Sequence, residues 1–270
     1  MINKKNLRDI ILAGISKEIV LFEDSTDLEN IETEYVNEYR FNSEEAREFI
    51  DRNFSERQRL DSSIQDRSVL GITSFDFYGG RVFINFEKGS YRTHLATLEP
   101  GYREYIENRN FFVVPLFLMN IVLTRDDKIV VSRAPDGQLD LIGDFLGEKD
   151  VVDEKINFFS ASFSHISGKT GNLYLCNAKL LGIFIKSTCC FLVLRYDTNS
   201  SARELEKALV QGKSAGEGES EGRGLHFLRN REEELGEAIE NPSFTREART
   251  ALKFYMKNIF CNYKYINTKI

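Results

Sequence analysis

Residues 147–168, "GEKDVVDEKINFFSASFSHISG", lie between two glycines, and the rest of the chain is interpreted from them. The stretch begins at Gly147, carries acidic residues as far as Glu154, and becomes apolar and serine-rich from Phe158. Acidic residues are favourable just before a helix, because the helix N-terminus carries a partial positive charge. The stretch is therefore predicted to form a loop followed by a helix.

The segments on either side of this stretch predict strands. "FFVVPLFLMNIVLT" is apolar, β-branched and aromatic, which is typical of a buried central strand, and "KIVVSRA" returns after a short turn. "KLLGIFI" and "CCFLVLRYD" predict two more strands after the helix. Strands interrupted by a helix predict an α/β (α+β) fold with a mixed sheet flanked by helices.

The amino-terminal part predicts a smaller α+β domain of its own. "KEIVLF" predicts a strand, and "NSEEAREFIDRNF" has the apolar spacing of a helix. "SVLGITSFDFYGGRVFINF" predicts two strands separated at Tyr78-Gly79-Gly80. We expect this domain over residues 1–108 and a second domain over residues 109–270. The second domain is expected to contain a Gly- and Ser-rich surface loop at 211–224 and a C-terminal helix.

The bulk properties exclude several classes of protein. A chain of 270 residues with 41% hydrophobic and 29% charged residues is ordinary for a globular protein. No apolar run reaches the length that a membrane span needs, and no signal-peptide cleavage site follows the basic start. We therefore expect a cytoplasmic protein with no membrane partner. The net charge of -6 argues against a nucleic-acid-binding protein as a whole, and no DNA partner is expected.

Cysteine and histidine usage predicts neither a disulfide framework nor a zinc site. The chain has four scattered cysteines and three histidines, without a second close ligand pair. Cys189 and Cys190 lie in an alternating run, so we expect them to point to opposite faces of a strand.

The 147–168 stretch resembles the Nudix box. In that family the pattern is a glycine, five residues, a glutamate, seven residues, then Arg-Glu-apolar-x-Glu-Glu-x-Gly-apolar. The spacing fits this sequence without a gap, and the matching positions are Gly147, Asp153, Ala161, Ser162, Phe163, His165, Ile166 and Gly168. The resemblance implies a Nudix-like mixed sheet. It also implies that Ser162, His165 and Ile166 stand where the family has glutamates.

Those replacements remove the chemistry of the motif. Mg²⁺ requires hard oxygen ligands, and helical spacing would bring three carboxylates to one face. Ser162, His165 and Ile166 supply no carboxylate, and neutral imidazole is a poor Mg²⁺ ligand. We therefore predict no catalytic residue, no metal and no cofactor at this degenerate box. Asp153 and Glu154 remain as candidate ligands.

The other acids of the preceding loop allow two interpretations. Asp144, Glu148 and Asp150 form an acidic cluster with Asp153 and Glu154. The cluster is either a displaced cation site or a solvated loop before a helix. His165 is interpreted as a surface or half-buried histidine, because no orienting group for a Ser-His pair is evident.

A second resemblance concerns the amino-terminal part. "LGITSFDFYGG" followed by "YRTHLATL" is similar to the extra domain of the Nudix branch that hydrolyses UDP-glucose and UDP-galactose. His94 and Arg92 in this segment are candidates for a substrate pocket, and a plain strand is the alternative. This resemblance implies two further functions for the chain. One is a divergent Mg²⁺-dependent nucleotide-sugar hydrolase, and the other is a nucleotide-sugar sensor.

The two ends of the chain are basic. The last twenty residues contain four lysines and no acid, and aromatic residues lie between them. Lysines bind phosphates and aromatic rings stack on exposed bases, so an RNA or partner surface is one interpretation. A C-terminal helix with its apolar face in the core is the other. The candidate contact residues are Lys4, Lys5, Arg8, Lys253, Lys257, Tyr263, Lys264, Tyr265 and Lys269.

The chain as a whole is also similar to the ribosome-bound microsporidian dormancy factors, in its size and its aberrant Nudix-like box. This resemblance implies a partner in the ribosome or its RNA. The first prediction is therefore a non-catalytic Nudix-like protein that docks on a macromolecular partner.

Overall fold

The computed structural model describes residues 2–12, 18–38, 43–109, 112–133, 137–171, 173–186, 188–213 and 224–261. Helices and strands alternate within these ranges, so the predicted α+β class is confirmed. The helices are α1 (Lys4–Leu12), α2 (Glu44–Leu60), α3 (Tyr91–Thr97), α4 (Arg103–Arg109), α5 (Phe158–Thr170), α6 (Ala202–Lys213), α7 (Glu232–Glu240) and α8 (Arg246–Met256).

The strands form one large and two small sheets. They are β1 (Ile19–Phe22), β2 (Thr26–Asp27), β3 (Ile31–Glu38), β4 (Ser68–Tyr78), β5 (Arg81–Ser90), β6 (Leu116–Leu123), β7 (Lys128–Arg133), β8 (Leu139–Asp140), β9 (Ile142–Phe145), β10 (Val151–Val152), β11 (Lys155–Ile156), β12 (Leu175–Lys186), β13 (Cys189–Thr198) and β14 (Leu225–Arg229). No described helix is both long enough and apolar enough to cross a bilayer.

The large sheet is mixed, as predicted. Its order is β1-β12-β13-β6-β7-β14, with β2 beside β12, β8 beside β7 and β9 beside β6. Strands β13 and β6 run parallel, and β12 and β13 are antiparallel neighbours. β6 lies between β13 and β7 and is buried at six of its eight positions, which confirms its prediction as a central strand. Its apolar side chains therefore anchor the part of the sheet next to α5.

A smaller sheet of order β3-β5-β4 precedes it. β4 and β5 form a hairpin whose turn residues Gly79 and Gly80 have φ of 59° and 77°, a region that glycine enters without strain. This confirms the two strands predicted on either side of the glycines. The N–H of Leu70 in β4 donates to the carbonyl of Leu146 at 2.8 Å. The smaller sheet is thus tied to the segment that opens the box.

The core has two parts, one on each face of the large sheet. Cys190 belongs to the first part, which also contains α5, and Cys189 packs against the second part, which contains α8. The two cysteines therefore point to opposite faces, as predicted. The strands β1 and β2 from the amino-terminal region pair with β12. The division at residues 108 and 109 stays a prediction.

The first three residues of the predicted loop at 211–224 are helical. Residues 211–213 belong to α6, because each residue added to an existing helix gains a backbone hydrogen bond. Residues 214–223 lie outside the described ranges. Residues 262–270 also do, and with them Tyr263, Lys264, Tyr265 and Lys269.

Candidate functional site

Helix α5 occupies the position that the sequence predicted for the box helix. The side chain of Asn157 caps it by accepting the N–H of Ser160 at 2.9 Å. It ends at Gly171, which has a φ of 80°, a backbone conformation typical of helix C-termini. A loop with short strands precedes the helix, and β12 follows it, so the predicted loop-helix-strand order is confirmed.

The three degenerate positions of α5 face the interior. Ser162 and Ile166 are 0% exposed and His165 is 9% exposed, next to β9 and β6. The opposite side of the helix exposes Phe159 and Phe163, at 44% and 37%. The sequence of α5 contains no carboxylate at any position. The face that holds cations in the family is therefore uncharged and covered here.

His165 is buried without a hydrogen-bond partner at either ring nitrogen within the described structure. It is thus more enclosed than the surface or half-buried histidine that the sequence suggested. Burial lowers the pKa of His165, although the carboxylates of Asp144 and Asp150 act in the opposite direction. Because the imidazole is kept neutral, it contributes no positive charge at this face.

Ser162 does not form a nucleophilic pair with His165. The Ser162 Oγ atom and both ring nitrogens of His165 are buried without a hydrogen-bond partner among the described residues. Burial raises the pKa of the Tyr196 hydroxyl to about 12, and the Ser162 hydroxyl acts in the opposite direction. The Tyr196 hydroxyl also donates to the carbonyl of Phe158 at 3.5 Å. These contacts hold the start of α5 against β13 and are structural.

Asp153 and Glu154, the remaining candidate ligands, lie away from the α5 face. They form the turn between β10 and β11, with φ of 50° and 62°, and both are exposed. No group of three or more His, Cys, Asp or Glu side chains that could hold a metal ion occurs among the described residues. The two acids therefore occupy a hairpin tip.

The other acids of the cluster each have a separate partner. Asp150 is 5% exposed and accepts the backbone N–H of Gly147 at 2.8 Å. Asp144 pairs with Arg67 at 2.9 Å, and Glu148 pairs with Lys88 at 2.5 Å. Each of these three acids therefore has its own partner in the described part of the chain. Sequence reasoning missed the two basic partners, because Lys88 lies 60 residues from Glu148 and Arg67 lies 77 residues from Asp144.

His94 lies in helix α3 and not in a strand. It is 4% exposed, and its Nε2 atom is 3.6 Å from the Sγ atom of Cys189. Burial lowers the pKa of His94 to about 4 and raises the pKa of Cys189 to about 12. Both groups are neutral near pH 7, so the pair is not an activated Cys-His nucleophile.

The amino-terminal basic residues are partly engaged within the chain. The Nζ atom of Lys4 donates to the two carboxylate oxygens of Glu87 at 2.7 and 2.9 Å. Arg8 pairs with Asp9 at 3.2 Å, and Lys5 is exposed. Lys4 therefore anchors α1 to β5, and Lys5 and Arg8 remain at the surface.

The carboxyl-terminal helix carries a basic stripe opposite its buried face. Ala248, Leu252 and Tyr255 are buried, which confirms the predicted apolar face. Arg246, Arg249, Lys253 and Lys257 follow one another at spacings of three and four residues. Arg246, Lys253 and Lys257 are exposed, and Arg249 is half-buried with its Nε atom covered. We call these four residues the α8 stripe. Lys257 begins the π-helix Lys257–Cys261 and pairs with Glu23 at 2.6 Å. The sequence prediction named the lysines of this helix and missed Arg246 and Arg249, which their helical spacing places on the same side.

A cavity of about 540 Å³ lies between the smaller sheet and the segment that opens the box. Its cationic lining residues are Arg47, Arg67, Lys88 and Arg92. Its acidic lining residues are Asp51, Asp66 and Glu148. Of these seven, only Arg92 was a sequence candidate for a pocket and Glu148 for a cation site.

Comparisons with known proteins give structural similarity alone. No protein-family model matches the chain, and no curated protein matches it. A crystal structure of Tm1382, a candidate Nudix hydrolase, has 11% identity and a TM-score of 0.38, and the match covers 56% of this chain and 76% of that one. A Nudix-family hydrolase from Clostridium perfringens has 11% identity and a TM-score of 0.35, with 52% and 97% covered.

Proposed function

We propose that this chain is a non-catalytic binding protein that docks on a macromolecular partner, and that the partner is the ribosome. The observation that carries the first part is the inward face of α5. Ser162, His165 and Ile166 occupy the box positions, and all three are at most 9% exposed.

Hydrolysis of a diphosphate at such a box needs cations that neutralise the phosphates and activate water. Those cations require carboxylates that converge on an open cleft. At α5 the corresponding groups are the hydroxyl of Ser162, the neutral imidazole of His165 and the alkyl side chain of Ile166. All three are buried in a helix that packs against β9 and β6. A binding role makes no such demand on this helix.

The α8 stripe supports the second part of the proposal. Arginine and lysine side chains are common donors to the phosphate oxygens of a nucleic-acid backbone. Residues 262–270, which contain Lys264 and Lys269, follow the stripe in the sequence. Lys253 is exposed, and the ion pair of Lys257 with Glu23 is at the surface, where it can exchange for a phosphate.

Co-sedimentation with purified ribosomes tests the proposal. The double variant R246E/K253E is expected to lose binding, and wild-type binding is expected to fall steeply with salt, because released counterions drive the association. The matched control is R59E/R203E, which makes the same change of charge at exposed positions on α2 and α6.

Two results would overturn the proposal. One is equal ribosome binding by the two double variants, which would remove the α8 stripe from the interface. The other is Mg²⁺-dependent release of UMP from UDP-glucose by the pure protein, which would identify the chain as a hydrolase.

A further inference from the structure

We infer that residues 262–270 of this chain dock in a groove beside the start of α5. The groove lies between the short 3-10 helix Leu28–Asn30 and the β10–β11 hairpin, and its volume is about 460 Å³. We call it the α5 groove. The inference does not depend on the ribosome proposal, because no residue of the α8 stripe lines this groove.

The lining of the α5 groove is largely apolar. Leu28 and Ile31 contribute from the amino-terminal region, and both pack against the core. Val152 from the hairpin is 55% exposed, and Phe159 from α5 is 44% exposed. Large apolar side chains that stay this exposed around a concave surface are typical of a docking site. The groove therefore favours an occupant with apolar or aromatic side chains.

Carboxylates border the α5 groove. Glu29 and Asp153 line it together with one cationic side chain, Lys155. Glu154 follows Asp153 in the turn between β10 and β11. None of these four side chains has an ion-pair partner within the described part of the chain. Because acids outnumber bases at this rim, the groove favours an occupant that carries positive charge and no acid.

The backbone of the acidic turn is strained. Asp153 and Glu154 have φ of 50° and 62°, in the left-handed region that is costly for residues other than glycine. Strained residues of this kind are found at ligand clamps, where the strain accompanies a binding role. The turn thus holds two exposed carboxylates at the rim of the groove, in a conformation that glycine would adopt more easily.

Residues 262–270, "NYKYINTKI", have the composition that this groove favours. The segment contains two lysines and no acid, and four of its nine residues are aromatic or branched apolar. The lysines are Lys264 and Lys269, and the other four are Tyr263, Tyr265, Ile266 and Ile270. The lysines complement the carboxylates of the rim, and the tyrosines and isoleucines complement the apolar lining.

The π-helix Lys257–Cys261, which precedes this segment, lies next to the edge of the large sheet. Lys257 pairs with Glu23 at 2.6 Å, directly after β1. The side chain of Asn258 donates to the carbonyl of Leu181 in β12 at 3.4 Å. Strands β1 and β2 both pair with β12 on its outer side, so this part of the chain lies at an edge and not over the middle of the sheet.

The same edge leads to the α5 groove. Leu180, next to the residue that Asn258 contacts, pairs with Thr26 in β2. Thr26 is two residues before Leu28, which lines the groove. Nine residues reach roughly 30 Å when extended, and one strand spacing adds only about 5 Å to the path. Residues 262–270 are therefore long enough to pass around the edge and enter the groove.

The fluorescence of a single tryptophan tests the inference in the full chain. The natural sequence has no tryptophan, so Ile266→Trp introduces a single reporter and keeps an apolar side chain in the segment. We expect its emission to be blue-shifted and protected from quenching by acrylamide, because the apolar groove removes the ring from water. The reference is a free synthetic peptide of residues 262–270 with the same substitution.

Charge reversal at the rim should release the segment. In the Ile266→Trp background, D153K/E154K is expected to lower the ratio of docked to undocked segment about tenfold, equivalent to about 1.4 kcal/mol. The matched control E56K/E206K reverses two exposed acids on α2 and α6 that do not line the groove, and it should change the ratio less than about twofold. Glu29→Lys is a second groove variant at an exposed position, and it should act in the same direction as D153K/E154K even if the turn variant fails to fold.

The inference is overturned by any of three results. The first is quenching of the introduced tryptophan in the full chain equal to that in the free peptide. The second is an equal loss of protection in the groove variants and in E56K/E206K, which would indicate attraction to net charge alone. The third is protection that rises with protein concentration, which would assign the groove to a second copy of the chain. None of these results bears on the ribosome sedimentation of R246E/K253E.

Discussion

The buried carboxylate of Asp150 accepts the backbone N–H of Gly147, three residues earlier, at 2.8 Å. The backbone N–H of Asp150 in turn donates to the carbonyl of Gly147 at 3.0 Å. The first glycine of the box is therefore held by an acid of the same loop. Asp150 therefore stabilises this loop.

Removing this carboxylate should destabilise the fold. Asp150→Ala leaves the N–H of Gly147 unpaired in a buried position, which costs about 1–3 kcal/mol. We expect that decrease in the free energy of unfolding, measured by urea denaturation. Glu148→Ala is the control, because Glu148 is exposed in its pair with Lys88 and such pairs contribute about 0–1 kcal/mol. Equal effects of the two substitutions would contradict the role given to Asp150.

The interior position of Ser162 makes a second prediction. Ser162→Glu restores a box glutamate, but it places a carboxylate on a face that is 0% exposed at this residue. Burying an unpaired charge is strongly unfavourable, so we expect a loss of at least about 3 kcal/mol or failure to fold. Ser164→Glu puts the same group on the exposed side of α5 and should change stability by less than about 0.5 kcal/mol.

The effect of Mg²⁺ on the melting temperature of Ser162→Glu distinguishes a buried α5 face from an open cation site. If the face opened onto a cation cleft, Ser162→Glu would be tolerated and 10 mM MgCl₂ would raise its melting temperature, in the way that any ligand of the native state does. A melting temperature of Ser162→Glu near that of Ser164→Glu, and rising with Mg²⁺, would contradict the buried face.

Backbone strain at the β10–β11 turn gives a third prediction. Glu154 has a φ of 62°, and a non-glycine residue pays roughly 1–2 kcal/mol in this left-handed region. Glu154→Gly relieves that strain but loses about 0.5–1 kcal/mol through the freedom of glycine in the unfolded chain. We expect a net stabilisation of about 0.5–1 kcal/mol. Glu154→Ala keeps the strain and is the control, and a Glu154→Gly variant that is less stable than Glu154→Ala would show that the turn is unstrained.

The fold was predictable where local periodicity decides it. The strand β6, the Gly79–Gly80 hairpin and the apolar face of α8 follow directly from residue spacing, and all three are confirmed. The end of α6 was not predictable in this way. Residues 211–213 have a loop-like composition and are helical as a continuation of the preceding helix.

The candidate site was less predictable than the fold. The absence of glutamates from α5 can be read directly from the sequence. The basic partners of Asp144 and Glu148 cannot. Arg67 reaches Asp144 across 77 positions and Lys88 reaches Glu148 across 60, so no local pattern records either pair. The cavity has the same origin, since its lining comes from α2, α3, β5 and the box segment together.

The stability of the protein should fall on acidification because of His94. Burial lowers its pKa to about 4 in the folded chain, against an ordinary value of about 6.5 in the unfolded chain. The unfolded state therefore binds the proton more tightly, and the stabilisation is complete above pH 6.5 and lost as the pH falls toward 4. The difference between the folded and unfolded pKa of His94 corresponds to about 3 kcal/mol.

His94→Leu, which keeps an apolar group of similar reach, should lose that part of the pH dependence. Urea unfolding at intervals between pH 7 and pH 4 measures it, and parallel curves for wild type and His94→Leu would show that His94 is not the group responsible.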